Sequence, residues 1–136
     1  MSRKDAREFV MKYMYQMDIN QEYNLNDLEL LLEEEKIDLD DREFIDKSLN
    51  LLITNVDNLD TIIEKFLKGW TTSRIPRIDL AILRVAINEI NNLEDIPVGV
   101  SINEAVDMAK RYSTEESYRF INGVLGSYYR SLEDKK

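Results

Sequence analysis

Cysteine and histidine are both absent from the 136-residue chain. Without cysteine there is no disulfide framework, and a reducing, cytoplasmic setting fits. The two absences together remove the usual zinc ligands, every Ser-His-Asp or Cys-His nucleophile arrangement and the commonest general base. A carboxylate-only enzyme stays open on paper, but the expectation is a chain that binds and does not catalyse, with no metal and no cofactor. No apolar run approaches the roughly 18 residues a membrane span needs. No charged segment followed by an apolar one reads as a signal peptide. Glycine and proline are sparse, 4 and 2, and they mark breaks at Gly69, Pro76, Pro97 and Gly99.

What is present in excess is acid. The formal net charge is −9, but it is segregated along the chain. Residues 22–66 hold 14 acidic and 4 basic side chains, a net of −10, and the other 91 residues hold 13 and 14, a net of +1. Distribution matters more than the total, so an acidic protein with a separate basic face remains able to bind nucleic acid. The acidic run EEEKIDLDDRE (33–43) lacks the glycine and ligand spacing of a calcium loop and reads as a solvated face.

Helical periodicity runs through nearly the whole length. Ala6, Phe9, Val10, Tyr13, Met14 and Met17 form one face of a first helix, with Ser2 as cap and Asp5 completing a capping box. A second helix is expected over 26–36. A third, capped by Asp40 or Asp41, uses Phe44, Ile45, Leu49, Leu52 and Ile53, and a fourth runs from about Asp57 to Lys68. The segment 70–76 reads as a loop, and Pro76 opens a fifth helix, Ile78 to about Asn91, apolar around most of its circumference. Ser101 with Glu104 and Ser113 with Glu116 read as caps of two more. The nearest strand candidate, VGVSI (98–102), competes with the cap at Ser101. The expected fold is all-α: about seven helices in two packed subdomains, divided near residue 55, within one domain over 1–136.

The first turn is electrostatically backwards. A helix N-terminus prefers acidic side chains by about 0.3–1 kcal/mol each, yet SRKDAREF (2–9) puts Arg3, Lys4 and Arg7 there. At 100° per residue, Arg3, Lys4, Arg7, Met11 and Tyr15 share a sector beside the core face. Three cations and a tyrosine on one surface suit phosphate neutralisation with a base stacked on the ring; an ordinary solvated face is the plainer reading. Gly123 and Gly126 sit inside a strongly periodic helix, each at a cost of roughly 1 kcal/mol against alanine. Close approach of another helix, or access for a ligand or RNA backbone at the Asn122–Gly123 surface, would explain them. Arg119, Lys110 and Arg111 could extend a basic surface. Tyr128 and Tyr129 divide between core and surface, and Trp70 is either a partner-facing anchor or a lid on the core. Arg77, Arg84 and Glu89, on an otherwise apolar helix, belong at its edge or in pairs.

The order ARE-x₆-Y, then IDLAILRVAINEI, then IPVGVSINEAVDMAKRYSTEESYRFINGVL resembles the bacterial NusB family of transcription antitermination factors. The likeness spans nearly the whole chain and is strongest over 76–125. It implies an all-helical domain that binds boxA RNA of ribosomal RNA operon leaders as a heterodimer with NusE, a small-subunit ribosomal protein, and helps load an antitermination complex on RNA polymerase. By that matching Arg3, Lys4, Arg7 and Tyr15 would contact RNA, Arg119 and Phe120 would extend the surface with Glu116 at its edge, and Glu89 would contact NusE. Asp5 stands where many members have another basic residue, Gly126 where an acidic one often follows GVL, and Asn88 where an aromatic is frequent. Weak RNA binding by the protein alone is therefore expected. Two alternatives remain: a homodimeric protein-interaction module that hides the basic face, and an RNA-recruiting accessory domain in ribosomal RNA maturation. An independent methyltransferase is excluded, because no glycine-rich cofactor loop or catalytic cysteine is present.

Overall fold

In the computed structural model, which describes residues 2–135, six α-helices follow one another with one short 3₁₀ turn and no strand among the described residues. They are α1 (Arg3–Asn20), α2 (Leu28–Glu34), α3 (Leu39–Lys65), the turn Thr72–Arg74, α4 (Arg77–Asn92), α5 (Val98–Tyr112) and α6 (Glu115–Glu133). The all-α expectation holds, with six helices where about seven were expected.

α1 starts as its sequence dictates. The Ser2 hydroxyl accepts from Asp5 N–H at 3.1 Å, and the Asp5 carboxylate accepts from Ser2 N–H at 3.1 Å, so both arms of the box form. Hydrogen bonding to its carboxylate from the Ser2 backbone N–H, and next from the Ser2 side chain, holds the Asp5 carboxyl below its usual range. The helix ends where Gln21 turns left-handed (φ 55°) and the Glu22 N–H reaches back to the Met17 carbonyl at 3.1 Å.

The expected third and fourth helices are one. α3 runs 27 residues, about 40 Å at 1.5 Å per residue, and its cap is Asp38, whose side chain accepts from Asp41 N–H at 3.0 Å. Asp57 and Asn58 resemble a cap, but no glycine or proline interrupts 39–65. The stripe Ile45, Leu49, Leu52, Val56, Leu59, Ile63 passes through without a change of phase, and that signal was available in the sequence. The division expected near residue 55 falls inside this continuous helix.

α4 is the axis of the molecule and packs against α1, α3, α5 and α6. Residues 79 to 89 are all buried, which is why its apolar character extends all round. Pro76 and Pro97 precede α4 and α5 directly, placing the first helical residue just after a fixed φ. The VGVSI segment is therefore the start of α5, and Ser101 is no cap. It lies buried in the helix and donates to Glu89 Oε1 at 2.9 Å. Ser113 is likewise diverted, donating to Asp79 Oδ1 at 2.7 Å, while Thr114 caps α6 by accepting from Ser117 N–H at 3.1 Å. In both places a tertiary acceptor on α4 captured the hydroxyl.

Tyr128 is buried and Tyr129 exposed, and Trp70 stands 57% exposed. Close helix approach does not explain the glycines of α6. A Cβ on Gly123 would meet nothing within 4 Å, and one on Gly126 only the Arg130 guanidinium of the same helix, at 3.4 Å. Gly123→Ala is thus expected to stabilise the fold by roughly 0.5–1 kcal/mol in urea denaturation. No helix among the described residues is long and apolar enough to cross a membrane.

Candidate nucleic-acid interface

The cations of the first turn do not stand free. The Arg3 side chain is half exposed, with Nε 3.9 Å from Asp41 Oδ1 and its guanidinium 4.2 Å from the centre of the Phe44 ring. Lys4 Nζ lies 3.3 Å from both Glu104 Oε2 and Asp107 Oδ2. Partial burial pulls the Lys4 pKa down, but hydrogen bonds and charge from Asp107 and Glu104 outweigh it and leave the pKa raised. Each cation at the N-terminus of α1 therefore faces a carboxylate of another helix.

Arg7 corrects the surface expectation outright. It is 4% exposed and grips Glu89 with two hydrogen bonds, Nε to Oε2 at 2.7 Å and Nη2 to Oε1 at 3.0 Å. Met11 is fully buried and Tyr15 is half-buried against the core. Glu89 itself is 1% exposed and turned inward, so it offers no surface to a partner protein in this conformation. α1 lies between α3 and α4, so its buried arc is wider than its apolar stripe, and the Arg7–Glu89 pair carries two neutralised charges into that arc. One sequence signal pointed here: a glutamate on a helix otherwise buried all round needs a cation.

On α6, Glu116 and Arg119 are exposed and Phe120 is half-buried against the core. The Arg119 guanidinium reaches Glu115 Oε1 at 3.0 Å, one turn back. Between α5 and α6 opens a groove of about 560 Å³, lined among others by Asn103, Asp107, Lys110, Tyr118, Arg119 and Asn122. Lys110 Nζ and the Arg119 guanidinium lie 5.0 and 5.8 Å from the centre of the Tyr118 ring. Asp107 belongs to both this groove and the Lys4 contact, so a continuous strip runs from the start of α1 across α5 to α6. Arg3, Lys4 and Arg119 lie along it, while Arg7 supports it from beneath.

Sequence reasoning did not single out Tyr118 or Asn103, and it named Asn122 only together with Gly123, as a surface that a ligand or RNA backbone could reach. The stretch YRF (118–120) drew attention to Arg119 and Phe120, and nothing local marks Tyr118 as facing a lysine on another helix.

A second groove, about 500 Å³, lies between α1 and the 22–35 segment. Its apolar floor includes Phe9 and Tyr13, but Asp5, Glu8, Glu22, Asp27 and Glu35 surround it against the single cation Lys12. That face repels phosphate. Beside it Glu8, buried, takes a hydrogen bond from Arg111 and another from the Tyr112 hydroxyl at 2.9 Å. No group of three or more metal-ligating side chains that could hold a metal ion is found among the described residues.

Comparison with known proteins adds to this geometry. The model of the NusB family matches residues 4–130. The transcription antitermination protein NusB of Alkaliphilus oremlandii is 46% identical over 128 residues, covering 94% of this chain and 93% of that protein. That of Finegoldia magna is 40% identical and covers 98% of both. Among solved structures, NusB of T. maritima superposes with a TM-score of 0.84 at 32% identity, over 96% of this chain and 92% of that one. A crystal structure of the antitermination factors NusB and NusE in complex with double-stranded RNA superposes with a TM-score of 0.85 at 29% identity, over 95% and 96%.

Proposed function

The chain belongs to the NusB family, and from that premise we propose that it is a transcription antitermination factor. It binds boxA-type RNA together with NusE and helps load the antitermination complex on RNA polymerase, in the cytoplasm, by binding and without catalysis. The observation that carries this reading is the strip across α1, α5 and α6. Along it Arg3 and Arg119 are exposed and Lys4 is half-buried, with the Phe44 ring beside Arg3 and the Tyr118 ring beside Arg119. Arg3, Lys4 and Arg119 would meet phosphates, and Tyr15 and Phe120 would offer ring edges to bases, with Glu116 at the margin. Arg7 and Glu89 act beneath this surface by holding α1 against α4.

The same geometry explains why the protein should bind RNA weakly alone. Arg3, Lys4 and Arg119 each already face a carboxylate, so a phosphate must compete for them. Three or four phosphate contacts give a salt slope of only about −0.7 each on single strands. NusE would supply the remaining surface.

The test is binding of labelled boxA RNA at two salt concentrations, with and without NusE, against a mutated boxA. Weak, salt-sensitive binding that becomes tight and sequence-selective with NusE is expected. If NusE neither binds the protein nor alters its RNA affinity, the reading fails and a homodimeric interaction module takes its place.

A further inference from the structure

We propose that the groove between α5 and α6 is a nucleobase-recognition pocket, in which one unstacked base lies against Tyr118, Asn103 and Asn122 read its edge, and Lys110 takes the adjoining phosphate. This rests on the RNA-binding reading above and adds to it a site of defined chemistry.

Three observations support it. First, the groove is open to solvent and its volume of about 560 Å³ leaves room for one base. Second, three of the groove's hydrogen-bonding side chains are unused. Among the described residues neither the Asn103 nor the Asn122 amide has a hydrogen-bond partner, and the Tyr118 hydroxyl has none. By contrast Asn50 and Asn55, also on a helix, fold back onto carbonyls of their own helix at 2.8 Å. Amides that present both a donor and an acceptor match the edge of any base. Third, Lys110 is exposed and makes no ion pair among the described residues, and its ammonium lies over the Tyr118 ring. Its flexible stem lets the ammonium swing from the ring to a phosphate as a base enters. A ring, a mobile cation and free amides in one groove are the components by which single-stranded RNA is held and read.

The rest of the strip lacks this combination. Lys4 and Arg3 are held by carboxylates. The groove of α1 has rings, but its excess of acid turns phosphates away. A carboxylate also lies in the α5–α6 groove: Asp107 shares the Lys4 ammonium with Glu104, each at 3.3 Å. The open surface over Gly123, next to Asn122, leaves room for the strand to pass.

The experiment measures boxA RNA affinity, with NusE present, for Tyr118→Ala, Tyr118→Phe, Lys110→Ala and the double variant Asn103→Ala/Asn122→Ala. Melting curves confirm that each folds, and Tyr129→Ala, an exposed ring outside the groove, serves as control. Tyr118→Ala is expected to weaken binding about tenfold, while Tyr118→Phe keeps the ring and retains the affinity. Lys110→Ala should flatten the salt slope by about 0.7. The double amide variant should lose part of the discrimination between boxA and its mutated form. If the wild-type protein binds RNA but Tyr118→Ala binds as well as it does, or Tyr118→Phe falls as far, the pocket is overturned and the function stands. If the wild-type protein binds no RNA with NusE present, the function and the pocket fall together.

Discussion

Replacing Arg7 with alanine is expected to destabilise the protein by about 3–5 kcal/mol. The guanidinium is nearly sealed from water and holds both oxygens of Glu89, at 2.7 and 3.0 Å. Its removal leaves a carboxylate that is 1% exposed with only the Ser101 hydroxyl, at 2.9 Å, to solvate it. Breaking such a pair is far more costly than deleting it, because the survivor is a charge stranded in a low dielectric. The double variant Arg7→Met/Glu89→Leu should therefore be more stable than Arg7→Ala, although it has lost both partners. Urea denaturation of the three proteins checks this, and the midpoint temperature of Arg7→Ala should fall by about 10–20 °C. If Arg7→Ala costs under about 1 kcal/mol, the pair behaves like an exposed one and the burial of α1 on α4 is looser than described. The result also bears on RNA experiments. A loss of binding in an Arg7 variant would report a displaced α1, whereas Arg3→Ala and Lys4→Ala test the surface itself.

A second large effect is expected at Arg84, which joins three helices. Its Nε and Nη2 bind the two oxygens of Asp60 on α3, both at 2.7 Å. Its Nη1 approaches Asp18 of α1 at 3.5 Å and the Tyr23 hydroxyl at 3.4 Å. Burial disfavours the charge on Arg84, but the hydrogen bonds and charge of Asp60, helped by Tyr23, override it and leave the cation more strongly protonated than usual. Arg84→Ala should cost about 3 kcal/mol, toward the lower end because Asp18 keeps Arg77, at 3.2 Å, and the Tyr23 hydroxyl. Arg84→Lys should recover only part, since an ammonium cannot span both carboxylate oxygens in the fixed fork of a guanidinium. Guanidinium chloride denaturation gives the ranking.

The same variant has a spectroscopic signature. Burial raises the Tyr23 pKa, and the Arg84 hydrogen bond and charge pull it part of the way back. Removing Arg84 should therefore raise the Tyr23 pKa further, seen as a later alkaline transition in tyrosine absorbance. An unchanged or earlier transition would show that Arg84 does not face the phenol.

The two ion-pair clusters mark the boundary between what one chain of letters carries and what it does not. The helices were legible because their cause is local: apolar residues at a 3.6-residue period, Ser2 with Asp5 at a start, Gly69 and the prolines at the breaks. The burial of α4 was legible for the same reason, since a helix apolar on every side can lie only in the middle. Where local rules compete, the sequence misled. The start read at about Asp57 lies inside a helix that had no reason to stop. Ser101 and Ser113 had the spacing of capping boxes, worth about 1 kcal/mol each, but buried carboxylates on α4 held their hydroxyls instead.

The site divides along the same line. Composition and charge by themselves excluded histidine and cysteine chemistry, set an acidic segment apart from a neutral remainder and placed cations at the start of α1. Only the tertiary structure decided what those cations face. Arg7 and Glu89 are 82 residues apart in the chain, and Lys110 and Tyr118 lie on different helices. The helix dipole disfavours a cation in the first turn by a fraction of a kcal/mol in water. Carboxylates brought to 2.7–3.3 Å by folding, one of them in a dry interior, outweigh that preference several-fold. A repulsion that is local and solvent-screened is written in the sequence; the attraction that overrides it exists only once the helices have packed and the water has gone.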